Sequence, residues 1–389
     1  MKPFMYYNPT RLLFGQGQIK QLEKQLMMVG DRILIVYGSG SIKKMGLYDQ
    51  VMDLLIKQNK TVFELKDVEP NPRLTTVEEG IHICKKHEVD FVLAIGGGSV
   101  IDCTKAIVVG AKTKYPVWDL VTRRERAKDG LPYGSIVTMA GTGAEMSLTS
   151  VITNWETKDK RAFSSSHFRA QFVIVDPTYM TTVPKNQTIY GSIDTMSHLM
   201  EHYFHPGDRT VIQDGMLESV MRSLLEETPK LLANLSDVEH RETLAYASTI
   251  ALSDQLNMGF IGDWGTHHID HALSAVYDIP HGAGMAILFP HWMRHAVKQG
   301  YMNRLKDFAM KICQINPQNQ TDEEIALLGI DYISSLWESW GAPTKLRTYH
   351  IPFEGLAEIA ALTKETVADC GNYMPLEEDD ILAILQAAY

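Results

Sequence analysis

The feature that most constrains the fold is a change of rhythm near residue 185. Before it, short β-branched runs alternate with helical stretches. The runs are RILIVYG (32–38), TVFELKDV (61–68), VDFVLAIGGGS (89–99), SIVTM (135–139) and FVIVDP (172–177). Helical spacing fills 41–58, 74–87 and 99–112 between them. Strands rich in Val and Ile, joined by helical crossovers, belong in a parallel sheet covered on both faces. After DPTYMTTVPKNQ (176–187) the pattern becomes helical throughout, as in IYGSIDTMSHLMEHYF and HRETLAYASTIALSDQLNMGF. The expected architecture is α/β followed by all-α: a parallel-sheet domain over residues 1–185 and an all-helical domain over 186–389. No internal repeat interrupts either half.

The composition suits two such domains. With 389 residues and 45% hydrophobic content the chain can bury large cores without a disulfide or metal to hold them. A net charge of −10 argues against a nucleic-acid partner and against an anionic membrane surface. The basic cluster RRERAK (123–128) reads as a solvated segment. Cys84, Cys103, Cys313 and Cys370 are far apart and form no CxxC, which fits a reducing compartment. The first 17 residues hold no apolar core of signal-peptide type, and no run is long and apolar enough to span a bilayer. The expectation is a cytoplasmic protein.

Three glycine-rich turns follow strands of the first half. In AIGGGSVIDCTKA (94–106) the glycines let backbone approach a ligand, and Ser99 and the first amides of the next helix face an anion. The motif is not GxGxxG. VYGSGSIKK (36–44) is a second turn, Gly38-Ser39-Gly40-Ser41, followed by Lys43 and Lys44. NAD sites usually carry an acidic side chain near such a point for the ribose hydroxyls. None is present here, so a further phosphate fits and NADP(H) is the expected cofactor. The plainer reading of Ser41 is a helix cap. TMAGTGAEMS (138–147) is the third turn, with Thr138 and Thr142 within reach of phosphates or ribose.

The second half concentrates imidazoles in HHIDHALSAVYDIPH (267–281). His267 and His271 are four apart and share a helix face, as do Asp194 and His198 in IDTMSH. His281 follows directly after a proline. One carboxylate and up to four imidazoles suit a divalent ion, zinc or ferrous iron. His268 lies off that face, and His202 and His205 are expected on the surface. Trp264, Phe260 and Tyr179 are candidates either for an apolar substrate pocket or for core.

Together these motifs resemble the iron-containing (group III) alcohol dehydrogenases, and within them the NADPH-dependent butanol dehydrogenase and aldehyde reductase branch. The resemblance runs from NPTRLLFGQG through YGSGSIKK, EPNP, GGGSVIDCTK, GTGAE and VDPTY to both histidine-bearing segments. It implies a Rossmann-like amino-terminal domain, a helical carboxy-terminal domain of the dehydroquinate synthase-like type, and a homodimer. It assigns the metal, Fe2+ or Zn2+, to Asp194, His198, His267 and His281. His271 then lies beside the metal, free for substrate or proton traffic. Cofactor contacts fall on Gly38, Ser39, Gly40, Ser41, Gly97, Gly98, Ser99, Asp102, Thr138, Thr142 and Lys160. Ala144 and Ser147 stand where the family usually has Ser and related reductases often have Asn. The implied reaction is hydride transfer between NADP(H) and small primary alcohols or aldehydes. A glycerol or diol dehydrogenase, and a metal-dependent hydrolase, are the alternatives.

Overall fold

The computed structural model describes residues 1–207 and 210–389. Contacts divide the chain into two compact units. One comprises Tyr7–Val183 with Leu235–Ser253, and the other Met1–Tyr6, Pro184–Asn234 and Asp254–Tyr389.

The first unit is built on six strands, β1 (Arg11–Phe14), β2 (Arg32–Tyr37), β3 (Thr61–Leu65), β4 (Phe91–Gly96), β5 (Tyr133–Val137) and β8 (Phe172–Val175). They pair in the order β1-β8-β5-β4-β2-β3, and all pairings are parallel. Alternate residues of each strand face opposite sides. Leu34, Val36, Val92, Ala94 and Val173 pack with Val77, Cys84, Ile101 and Ile107 from helices α4 (Leu74–Lys86) and α5 (Gly98–Ala111). Ile33, Ile35, Leu93, Ile95 and Ile174 pack with Leu22, Leu26, Val51 and Leu55 from α1 (Leu22–Leu26) and α3 (Leu47–Lys57). Burial on both faces is why these strands read as unbroken apolar runs. Each buried Leu or Ile stabilises the layer by about 1.5–3 kcal/mol.

Register then positions the turns. Tyr37 pairs with Ile95, Gly96 with Val137, and Val137 with Val175. The carboxyl ends of β2, β4, β5 and β8 therefore line up, which brings Gly38, Gly97 and Thr138 to one edge of the sheet. From β2 the chain moves outward to β3 and then returns to the other side of β2 with β4. That reversal is the topological switch point, where such sheets bind ligands.

Three elements of this unit differ from the sequence reading. β1 is not among the runs that the sequence shows, because its four residues RLLF are too few to show a period. The antiparallel hairpin β6 (Thr149–Asn154) and β7 (Asp159–Ser164) is polar and carries no apolar run. Residues 235–253, which a single division at 185 assigns to the helical half, belong by contact to the sheet unit. Helix α9 (Val238–Ala251) braces the third glycine turn: Ser248 Oγ accepts from the Gly141 N–H at 2.8 Å, and Thr249 Oγ1 donates to Glu145 at 2.8 Å. All four cysteines are buried and unpaired, and Arg123, Arg124, Arg126 and Lys128 are exposed as expected.

The second unit is all-helical among the described residues. Its helices are α7 (Lys185–Tyr203), α8 (Val211–Ala233), α10 (Gly265–Tyr277), α11 (His281–Lys298), α12 (Asn303–Lys311), α13 (Asp322–Trp340), α14 (Leu356–Thr366) and α15 (Glu378–Ala387). Every residue of α7 from Gly191 to Tyr203 is buried, so α7 is the axis of the unit. A helix buried on all sides is normally apolar throughout. This one carries Asp194, His198, Glu201 and His202, and polar groups at that depth require partners. No helix among the described residues is long and apolar enough to cross a membrane.

Candidate metal centre and cofactor turns

In the helical unit, α7 presents Asp194 and His198 one turn apart, α10 presents His267, and α11 begins at His281. Each of the four offers a ligand atom within 4.8 Å of the others. Asp194 Oδ1 lies 3.3 Å from His281 Nε2 and 3.7 Å from His198 Nε2. The rings of His198 and His267 stack at 4.8 Å, and those of His267 and His281 lie 5.1 Å apart. Close approach of the helices makes this possible. A Cβ at Gly282 would lie 2.3 Å from the Tyr190 carbonyl oxygen of α7, so only glycine lets α11 pack there.

The donor chemistry fits a cation. Asp194 Oδ1 and His267 Nε2 are buried and have no hydrogen-bond partner among the described residues, an arrangement that costs about 1–3 kcal/mol per group. Burial depresses the pKa of His198, and burial with the neighbouring histidines puts His267 well below its ordinary value. Both are therefore neutral imidazoles, the form that binds metal. Three nitrogens and one oxygen suit zinc or ferrous iron. Asp194, His198 and His267 are buried, while the His281 side chain is 23% exposed, which leaves one approach to the centre.

Two carboxylates that the sequence reading did not single out complete the centre. Glu201 lies 2.8 Å from His267 Nδ1 and accepts from the backbone N–H groups of Trp264 and His267. Asp270 lies against His281 Nδ1 and accepts from Ser274 Oγ at 3.0 Å. Burial and the Asp263 charge push the Glu201 carboxyl well above its usual range, against the pull of those two backbone donors. A faint signal was present: each acid follows a histidine by three residues, in HLME and HHID.

His271 is half-buried one turn beyond His267, its ring 6.1 Å from that of His281. It stands beside the quartet. His202 and His205 correct the expectation of surface residues, since both are buried, at 2% and 1% exposure. His202 packs against the edge of Trp264, and burial lowers its pKa to about 3. His205 stacks on Phe260 at 4.0 Å and lies 3.2 Å from Asp214. Of the three apolar candidates, Trp264 contacts the rings of His198 and His267, at 6.1 and 5.2 Å. Its backbone is left-handed at φ 67°, an unusual conformation for so bulky a residue, and this conformation starts α10. Phe260 sits on His205 instead, and Tyr179 belongs to the sheet unit, where its hydroxyl bonds Gln50.

In the sheet unit the three turns occupy the aligned strand ends. Gly40 is left-handed at φ 96° and precedes the short helix α2 (Ser41–Lys44). The cap position of α2 is Gly40 and Ser41 is its first residue, and Ser39 and Ser41 are both exposed. α5 starts after Gly97, which leaves the Gly98 and Ser99 amides at a helix N-terminus. A Cβ on Gly98 would lie 2.4 Å from the Thr142 side chain, so the second and third turns interlock there. Thr138 is buried. Asp102 Oδ2 accepts from the Val151 N–H at 3.1 Å, and Lys160 Nζ donates to Asn71 at 2.7 Å. The first contact ties the hairpin to α5 and the second to the EPNP segment, where Thr153, paired with Lys160, also donates its N–H to Pro72.

Residues 9–177 match the family described as iron-containing alcohol dehydrogenase, and residues 188–389 match its carboxy-terminal domain. The chain belongs to the iron-containing alcohol dehydrogenase family. It is 50% identical to the probable NADH-dependent butanol dehydrogenase 2 of Bacillus subtilis, over the whole of both chains. It is 33% identical to the NADPH-dependent aldehyde reductase YqhD of Escherichia coli, covering 90% of this chain and 89% of that one. Among solved structures, NADH-dependent butanol dehydrogenase A of Thermotoga maritima superposes with a TM-score of 0.94 at 36% identity. That match covers 100% of this chain and 99% of the other. Family membership agrees with the parallel-sheet and helical architecture described above.

Proposed function

We propose that this protein interconverts primary aldehydes and alcohols by exchanging hydride with a nicotinamide dinucleotide. The observation that carries this reading is the buried quartet Asp194, His198, His267 and His281, in a chain whose sheet unit aligns three glycine-rich turns. A hydrolase with the same ligands has no use for those turns. The names of the relatives support butanal and butanol as representative substrates.

When bound, a divalent ion supplies Lewis-acid polarisation of a carbonyl oxygen, and the nicotinamide supplies the hydride. The protein's own residues set the stage for both. Asp194 and three imidazole ligands would leave a bound dication with net positive charge. Trp264 covers the His198 and His267 side with apolar surface, which keeps water off and strengthens that charge. The Gly98 and Ser99 amides receive phosphate at the start of α5. His271, beside His281 and partly accessible, passes the proton to the nascent alcohol. His271→Phe then lowers turnover about 100-fold or more and removes one limb of its pH profile. An unchanged profile assigns His271 to the pocket wall.

The turn after β2 supports NADP(H) as an accepted cofactor. It carries no carboxylate, and Lys43 follows it with its ammonium over the faces of Tyr37 and Tyr48, at 5.2 and 4.5 Å. On the neighbouring strand, Glu64 is occupied by the hydroxyls of the same two tyrosines. The relatives divide, those at 50% identity being named NADH-dependent and the reductase at 33% NADPH-dependent. The test is loss of NADPH and of NADH absorbance with butanal, in protein loaded with Fe2+ or with Zn2+. Consumption of cofactor, with kcat/KM for NADPH at least equal to that for NADH, is expected. A preference for NADH of tenfold or more overturns the cofactor reading, and no consumption of either overturns the activity. A homodimer, implied by the family resemblance, is part of the same proposal. Light scattering at twice the chain mass is its expected outcome.

A further inference from the structure

The two carboxylates under the quartet follow a rule. Glu201 lies three residues after His198 but binds His267. Asp270 lies three residues after His267 but binds His281. Each acid thus supports not the histidine three residues before it but the next histidine of the quartet. The first in line, His198, has no such support among the described residues, where its buried Nδ1 has no hydrogen-bond partner.

We infer that Glu201 and Asp270 are positioning residues that hold His267 and His281 with the proton on Nδ1 and the lone pair of Nε2 facing the centre. The inference rests on the metal reading above. Backbone geometry supports it at Glu201. The N–H groups of Trp264 and His267 donate to its two oxygens, which orients the carboxyl and holds one of those oxygens 2.8 Å from His267 Nδ1. At Asp270, Ser274 Oγ donates to the same oxygen as His281 Nδ1, which fixes the carboxylate beneath the ring. Both acids are completely buried, so no water competes for these bonds. Holding the distal nitrogen in this way fixes ring orientation and raises ligand basicity.

The arrangement also explains HGAG (281–284). A Cβ at Gly284, one helical turn after His281, would lie 1.8 Å from Asp270 Oδ1. Gly284 is the space into which Asp270 fits. Gly284→Ala therefore displaces the carboxylate that holds His281, although residue 284 itself touches no ligand atom.

The inference is tested on purified full-length protein in two ways. In the metal-free form, 15N-histidine NMR reads the tautomers directly, without any metal or substrate. Wild type is expected to show His267 and His281 protonated at Nδ1. Glu201→Gln is expected to release His267 alone, and Asp270→Asn to release His281 alone. Competition for Zn2+ against a chromogenic chelator is the second readout. Glu201→Gln, Asp270→Asn and Gly284→Ala are each expected to weaken binding about 10- to 100-fold. Gly284→Ala combined with Asp270→Asn should be no weaker than the worse single variant, because both act through one carboxylate. Ser274→Ala, which alters least, is expected to lose a few-fold and serves if the others fail to fold. Protons on Nε2 of His267 and His281 in wild type, or Zn2+ affinities within twofold of wild type in the variants, overturn the inference and leave the metal reading standing. Failure of wild type to bind one equivalent of Zn2+ overturns the metal reading itself, and the NMR result still decides the tautomers.

Discussion

The two units build their candidate sites from different materials. The sheet unit uses backbone: glycines and helix-start amides gathered at one edge by strand register, with few side chains committed. The helical unit uses side chains: one carboxylate and three imidazoles from three helices, each pair of helices packed closely enough for their donors to meet. A backbone site announces itself in sequence by what is missing, namely Cβ atoms after a strand. A side-chain site announces its donors but not what holds them. The difference also separates the sites functionally. Damage to one should spare the other's ligand.

The largest effect that would sharpen this contrast is expected at Asp194. Asp194→Ala removes the one charged donor of the quartet. Stoichiometric metal should be lost by elemental analysis, and turnover should fall about 1000-fold or more, equivalent to about 4 kcal/mol. Cofactor affinity, read by NADPH fluorescence, should stay within twofold. Retention of one metal equivalent would break the assignment. The converse lesion is Gly98→Ala, whose methyl group would meet Thr142 at 2.4 Å. It is expected to weaken cofactor binding about tenfold through steric displacement of the interlocked turns. Metal content should not change, and simultaneous loss of metal would show that the sites are not independent.

A smaller effect belongs to His202, buried at the edge of Trp264. Its pKa is lowered from 6.5 to about 3 by burial, so the folded protein keeps it neutral while the unfolded chain protonates it. The unfolded state therefore binds more protons between those values. The stability that depends on a neutral His202 is complete above pH 6.5 and is lost as pH falls towards 3, at up to about 1.4 kcal/mol per pH unit. In metal-free protein, the Tm of His202→Phe should fall less steeply than that of wild type over this window. Parallel curves would place His202 in contact with water.

Legibility in the sequence follows the same division. The buried strands β2, β4, β5 and β8 and the helices between them were readable because burial on both faces leaves apolar runs. The four residues of β1 and the polar hairpin β6–β7 leave none. The i,i+4 spacings of Asp194 with His198 and of His267 with His271 were readable because helical geometry alone puts such pairs on one face. Helical geometry does not say which helix lies opposite. For that reason the sequence does not show that Glu201 and Asp270 sit behind the quartet, that His202 and His205 are buried, or that α9 makes its contacts with the sheet unit. Gly284 was visible as a glycine, but its purpose depends on a carboxylate 14 positions earlier in the chain.

The most direct test of the account compares chelator-stripped protein with the same protein reloaded with Fe2+ or Zn2+, following NADPH binding by fluorescence and butanal reduction by absorbance. The account predicts that stripped protein binds NADPH as tightly as reloaded protein but turns over no butanal, and that the ion alone restores turnover. Undiminished turnover in the stripped protein would contradict it, because the quartet in the helical unit would then have no part in the reaction.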